Sequence, residues 1–396
     1  MLKKDTTQGG NPAKAIGQGR SAKAAKTGAK QRIGADGKTE PVIDHMDHAP
    51  VHPVYVFTDG LFRPIQHGKR ATAIRVTGQY HPVGEPRQRV QCVWTSEQAL
   101  DIADQMVLFH LCHLGAAPGE HRQVLGPKHP EYVDALQRLK WMNQDDTATD
   151  PSMVDPNVVQ SNGWGGVQSD SQIAKPNLMV IFTTAQAIAR GIGLTATGFN
   201  TNAVRESLRR LIRTTCQVTH VHGIQGTKHV SQYNVLGGSR NGETLTIVLN
   251  PELSERCLSH QSVAWVNMKE QRALESKPAR RLHAWVTAWA FTAEVRTIKL
   301  KTLLSHVWGP EECTPSAKKS RTRTLKDAVQ AIAQLPGWVC WLNEKDGMVR
   351  VRKPRFVGSP KPGVVSTALT PTSSVVTTAA TAVTDNIAVV TEPGVP

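Results

Sequence analysis

Cationic side chains recur at three- and four-residue spacing in one stretch of this 396-residue chain. Asn202, Arg205, Arg209, Arg210 and Arg213 stand there, interleaved with Val204, Leu208, Leu211 and Ile212. On a helix the apolar set forms one core stripe, Arg209, Arg213 and Asn202 fall opposite, and Arg205 and Arg210 flank them. A second stretch carries Lys318, Lys319, Arg321, Arg323 and Lys326, overlapping the start of an apolar stripe of Leu325, Ala328, Val329 and Ile332. Such faces bind a polyanion. Lysine neutralises phosphate, and arginine also offers guanine two parallel hydrogen bonds. Arg240, Lys345 and Arg350 lie on hairpins that follow the two stretches and would touch the flanking backbone.

Other residue sets suggest catalysis or metal binding and fail on spacing. His220-Val221-His222 has the form of a nuclease metal site. Its usual partner is a nucleophilic tyrosine, and none of Tyr55, Tyr80, Tyr132 and Tyr233 carries a lysine four residues on. His110 and His113 have no second ligand pair spaced to complete a tetrahedral zinc site. Gly34 to Thr39 resembles a phosphate loop but lacks the four residues between glycines that the motif requires. Of the tryptophans between 265 and 341, Trp285 and Trp289 fall on a core stripe with Leu282, which favours packing over base stacking. The reading is a binding protein, not an enzyme, with no metal or cofactor.

Composition agrees. Lys plus Arg number 47 against 32 Asp plus Glu, a net charge of +15. No apolar run approaches the roughly 18 residues of a membrane span, and no signal peptide is visible. Six cysteines lie far apart without a CxxC pair, as expected of a reduced, cytoplasmic chain. Residues 1–40 hold nine basic residues against three acidic ones and show no apolar period. Lys361, Asp385 and Glu392 are the only charges after residue 355. The expected organisation is a disordered basic arm (1–45), a first domain (46–255) with a flexible insertion at 145–177, a second domain (256–356), and a disordered Thr/Val/Pro-rich tail (357–396).

The elements that position the cations repeat. Thr95 and Gln98 form a capping-box pattern ahead of a helix to about Leu114. Leu178 to Phe182 reads as a strand, and Thr183 or Thr184 caps a helix to Arg190. Gly191-Ile192-Gly193 turns the chain, and Asn202 caps the cationic helix to about Thr214. Strands follow near Cys216–Val221 and His229–Leu236, and Asn241-Gly242 signals a hairpin. Later, Ser276 starts a helix to about Phe291, a second spans Leu300–Trp308, and a basic third runs from about Ser320 to Leu335. A hairpin then joins Trp338–Leu342 to Met348–Arg352. The expected fold is α+β, mainly helical, with two tandem winged-helix domains, each a helix-turn-helix plus a β-hairpin wing.

The residues in order resemble the iteron-binding replication initiators of plasmids, IncQ type above all. The matching text is Gly60-Leu61-Phe62-Arg63, Val124-Leu125-Gly126-Pro127, Ala187 to Gly193, Leu249-Asn250-Pro251, and Leu274 to His283. Val307-Trp308, the basic run 318–326 and Gly337-Trp338 complete it. The resemblance implies binding to repeated sites in double-stranded origin DNA, local opening, and recruitment of helicase and primase; a homodimer is compatible with it. A winged-helix transcriptional repressor acting at its own promoter would use the same surface. The arm, the 145–177 insertion and the tail inherit nothing from the match.

Overall fold

The computed structural model describes residues 47–354, apart from 66–69, 71, 81–88, 141, 144–175, 223–226, 293 and 311–312, together with 32–33 and 39–40. The tail, nearly all of the insertion and most of the arm lie outside the described residues. The chain divides into Met1–Val42 and Ile43–Pro396. In the first unit, β1 (Arg32–Ile33) and β2 (Thr39–Glu40) pair antiparallel, a short ladder in an arm whose composition suggested none.

The second unit begins with β3 (His48–Val51), α1 (Pro53–Phe57), β4 (Phe62–Arg63), β5 (Thr72–Tyr80), β6 (Arg89–Gln98) and β7 (Leu100–Asp101). It continues with α2 (Ile102–Ala116), β8 (Arg122–Leu125), α3 (Tyr132–Leu139), β9 (Met142–Asn143), β10 (Leu178–Thr184), α4 (Ala185–Gly191) and α5 (Gly198–Arg213). Then come β11 (Thr215–His222), β12 (Thr227–Asn234), β13 (Leu236–Asn241), β14 (Thr244–Leu249), α6 (Pro251–Ser259), β15 (Ala264–Asn267) and α7 (Met268–Ala273). The last elements are α8 (Lys277–Trp289), β16 (Arg296–Lys299), α9 (Leu300–Trp308), α10 (Pro315–Ala333), β17 (Val339–Asn343) and β18 (Met348–Arg352). The fold is mixed α/β, with more sheet than a mainly helical reading expects.

One element order occurs twice. In the first occurrence, α2, β10, α4 and α5 precede the hairpin β13–β14, and β14 pairs with both β10 and β13. In the second, α8, β16, α9 and α10 precede β17–β18, and β18 pairs with both β16 and β17. The first occurrence carries additions. β8 extends its sheet beyond β10. Tyr132, Ala135 and Leu139 of α3 pack with Leu178, Val180 and Val248. The β11–β12 hairpin, read as leading into the wing, instead joins β5, β6 and β9 in a separate five-stranded sheet. Between the two occurrences, β15 pairs with β3, Ala264 opposite Val51.

Burial explains the elements. Nearly every side chain of α2 is buried, including Met106, Leu108, Phe109, Leu111 and Cys112, so this helix is the axis of the first core. Thr95 and Gln98 do not cap it. They end β6, where Val90, Cys92, Trp94 and Ser96 alternate inward, and that period of two outweighs the capping pattern. Asp101 is the cap, in a capping box with Asp104. Gly191, at the end of α4, lies against α2 so closely that a Cβ would come within 2.0 Å of His110 Nε2. In the second core, Leu282, Trp285 and Val286 of α8 meet Leu303, Val307, Leu325, Val329 and Ile332.

Two buried polar groups tie the second core to the rest. Arg281 is fully buried and donates to the carbonyls of Thr58 and His306, fastening α8 to the end of α1 and to α9. Burial lowers its guanidinium to about 10, against the favourable field of Asp59. His283 meets Glu270 Oε2 at 2.7 Å, and Trp338 Nε1 donates to the same oxygen.

Asp104 has no solvent exposure and accepts from three directions. Arg210 of α5 grips it through Nη2 (2.7 Å) and Nε, Arg70 Nη1 lies 3.2 Å away, and the Asp101 backbone N–H donates at 2.7 Å. Removing one partner of such a buried pair strands the other charge. Asp104→Ala is expected to cost about 3–5 kcal/mol of unfolding free energy, measured by urea titration.

Glu252 on α6 is also buried, and neither carboxyl oxygen has a hydrogen-bond partner among the described residues. Burial raises its carboxyl from 4.5 to about 7, against smaller opposing effects from its own backbone and Arg256. A raised folded-state value favours the protonated folded form. Its contribution is therefore full below about pH 4.5 and lost as pH rises through about 7. Relative to the parent, Glu252→Gln should gain about 3 kcal/mol of stability between about pH 4.5 and 8. A difference that stays flat across that range would show the carboxyl ionised in the folded protein.

Candidate nucleic-acid interface

Two cationic helices hold equivalent places in the repeated order. α5 starts earlier than the sequence suggests: Thr197 is the cap, its Oγ1 accepting from Asn200 N–H, and Asn202 stands inside the helix. Val204, Leu208 and Leu211 face the core as expected, and Ile212 is half-buried against it. Asn202, Arg209 and Arg213 are exposed. Each cation has a local partner. Arg205 Nη1 donates to Asn202 Oδ1 at 2.9 Å, Arg209 pairs with Glu206 at 2.9 Å, and Arg213 pairs with Glu97 of β6 at 3.1 Å. Exposed pairs of this kind are worth well under ~1 kcal/mol, so a phosphate or base edge can replace the carboxylate cheaply.

Arg210 departs from the reading. Its side chain turns inward to Asp104 and Ser207, and it clamps α5 onto α2 in place of facing a ligand. Spacing put it on the flank of the cationic face, and only the location of the buried carboxylate draws it in.

α10 begins at the cap Thr314, earlier than the expected Ser320, with Pro315 in its first turn. Lys318, Lys319, Thr322, Arg323 and Lys326 line an open groove along it with Pro315. Lys326 Nζ also meets Glu344 Oε1 at 2.7 Å, joining the helix to the β17–β18 turn. That hydrogen bond and charge lower the Glu344 carboxyl below its usual value. Arg321 lies off the groove, its guanidinium 5.9 Å from the Trp308 ring centre, where it covers the core edge.

The remaining residues lie on the hairpins. Gly242, with φ +59°, is the first central residue of the β13–β14 turn, a position that glycine fills without strain. Arg240 beside it is exposed and donates to the Gly242 carbonyl. Lys345 is exposed in a turn held by Asp346, which accepts from Asn343 and from the Met348 N–H. Arg350 lies opposite Trp341 on the outer sheet face, 5.8 Å from its ring. Lys299 and Arg352 are exposed on this sheet and were missed. The signal for Arg352 was the two-residue alternation Arg350-Val351-Arg352. Arg138 of α3 also reaches Ser239 on the first hairpin at 2.7 Å, a contact set by the α3 packing and not by any motif.

The rival motifs fall differently. His110 is buried and stacked on His113, and burial first, then His113 and Arg272, lower its imidazole to about 4. The side chains of His220 and His222 lie outside the described residues. Trp285, Trp308 and Trp338 are buried, whereas Trp341 is 39% exposed. No helix among the described residues is long and apolar enough to cross a membrane.

The repeated scaffold, with its cationic helices, is similar to a family of replication proteins. More particularly, residues 167–351 match the model of the family described as Replication protein C (RepC), which bears out the resemblance drawn from the motifs. The match takes in α4, α5, both hairpins, α8, α9 and α10. Among solved structures the chain is similar to domains 2 and 3 of RctB in selenomethionine form, at 11% identity over 77% of this chain and 99% of that one, with a TM-score of 0.43. It is also similar to a second structure of RctB domains 2–3, at 10% identity over 74% and 93%, with a TM-score of 0.39. No curated protein matches it significantly.

Adjacent arginines of α5 should separate by role. Arg210→Ala is expected to lower unfolding free energy by about 3 kcal/mol because Asp104 loses its forked partner. Arg209→Ala should leave stability within about 0.5 kcal/mol. Urea titrations of the two variants followed by circular dichroism make the comparison, and equal losses would contradict the placement of Arg210.

Proposed function

We propose that the chain is a plasmid replication initiator that binds repeated sites in double-stranded origin DNA through two winged-helix units. In this reading α5 and α10 are the recognition helices, each entering a major groove, and the β13–β14 and β17–β18 hairpins are the wings beside the backbone. The observation that carries it is the recurrence of a cationic third helix, followed by a hairpin, in two units with the same strand order. A merely solvated charge run has no reason to recur at one topological place.

The roles divide by chemistry. Arg209 and Arg323 are exposed and read guanine edges, with Arg213 and Asn202 beside the first. Lys318, Lys319, Lys326 and Lys345 neutralise phosphate, as do Arg240 and Arg350 on the hairpins. The protein acts by binding, without catalysis. Occupation of tandem sites strains an adjacent AT-rich segment, where helicase and primase are then recruited, and protomers on neighbouring repeats meet as copies of one chain.

Footprinting on the origin is the test. Two recognition helices about one helical turn apart should protect roughly 20 base pairs per protomer. Arg209→Ala and Arg323→Ala should each weaken specific binding by about 1–3 kcal/mol and relax preference in opposite halves of the site. Protection of only about 10 base pairs, or loss of preference in the same half for both variants, would leave one unit without a DNA-binding role.

A further inference from the structure

Phe199 is the most exposed large apolar side chain among the described residues, at 79%. It stands in the first turn of α5, and the core gains nothing from it. That turn is well held. Asn200 donates its side-chain amide to the Thr195 carbonyl at 2.9 Å and to Thr195 Oγ1 at 3.0 Å, and its backbone N–H goes to Thr197 Oγ1. Thr201 is buried beneath it. Gly198 has no other described residue within 4 Å of where a Cβ would stand. Phe199 therefore projects into solvent from a turn whose backbone is fixed.

At about 100° per residue, Phe199 shares the outer face with Asn202, Ala203, Glu206, Arg209 and Arg213, and with the backbone position of Arg210, whose side chain turns away to Asp104. The face is graded along its length. Its leading half, Phe199 to Ala203, carries no charge, whereas the trailing half carries the arginines. A leading turn without a cation is unsuited to phosphate. An aromatic ring there fits the one apolar feature of the major groove, the thymine 5-methyl group. One turn on, Asn202 is exposed with its Oδ1 held by Arg205, and an asparagine amide matches adenine.

Resting on the reading of α5 as a groove-entering helix, we propose that Phe199 is a specificity-determining residue. It packs on the 5-methyl group of a thymine in, or adjacent to, the A·T pair that Asn202 faces. The first unit thus prefers an A·T step where the leading turn of α5 meets the groove, and the guanine contacts lie towards Arg209.

The test removes one methyl group at a time. Each thymine of the protected first half-site is replaced singly by deoxyuridine, and binding is titrated for the full-length parent, Phe199→Ala and Arg209→Ala. One or two replacements should weaken the parent about fourfold, the worth of a buried methyl group, and leave Phe199→Ala unaffected by the same change. Circular dichroism of Phe199→Ala should match the parent, since the ring supports no core. If deoxyuridine weakens both proteins equally, or Phe199→Ala binds like the parent while Arg209→Ala is weakened, the thymine contact is wrong and the groove placement of α5 stands. If neither variant changes binding, the groove placement itself fails and the contact falls with it. A Phe199→Ala defect that no single deoxyuridine reproduces would mean that the ring meets something other than a methyl group, and this too overturns the proposal.

Discussion

Two carboxylates at the start of α2 hold the molecule's parts in register. Asp101 and Asp104 cap the helix and lie at the positive end of its dipole, which favours buried negative charge there. Asp104 takes Arg210 and so fixes α5. Asp101 takes Lys277 at 2.7 Å and so fixes the start of α8, the first helix of the second occurrence. Arg70 stands beside both. One capping box therefore anchors the cationic helix of the first unit and the leading helix of the second. Buried charges are costly to bring together, but once together they are costly to pull apart, and that asymmetry makes the arrangement specific.

The contrast between buried and exposed pairs organises the surface. Arg210, facing a carboxylate with no access to water, is committed to the fold. Arg209 and Arg213 face exposed glutamates, and these pairs can exchange for another anion at little cost. Lys326 and Glu344 make the same kind of pair between α10 and its hairpin. Residues of one type, within four positions of each other, divide into scaffold and solvent-facing groups according to the solvent exposure of their acidic partners. The motif Leu274 to His283 follows the same rule. Ser276 caps α8, Arg281 ties it to α1 and α9, and His283 ties it to Glu270, so its polar residues serve packing of the second unit and not recognition.

Much of this was legible in the chain itself. The stripes Val204, Leu208, Leu211 and Leu325, Ala328, Val329, Ile332 follow the helical period, and the structure buries them. Ser276, Thr184 and the Asn241-Gly242 pair are local signals, because a cap or a tight turn depends on a few neighbouring residues and not on distant ones. The errors have physical causes. Thr95 to Gln98 satisfies a capping pattern, but its backbone finds partners on β5 and β11, and pairing on both sides outweighs a cap. The β11–β12 hairpin looked like part of a wing because its partner strands lie far upstream, at residues 89–98 and 142–143, and no short window contains them. Phe199 carried no signal at all, since its meaning lies in being exposed.

By itself, then, the sequence determined the repeated order of helices and hairpin, the cationic character of α5 and α10, and the inward faces of both. Each of these depends on spacing along one element, and spacing survives without a partner. Only the tertiary structure decided which arginine is scaffold and which faces solvent, which strands share a sheet, and that one aromatic ring stands outside the core. Those outcomes depend on what lies across from a side chain in space, and the buried carboxylate of Asp104 stands 106 residues before the Arg210 that it turns inward.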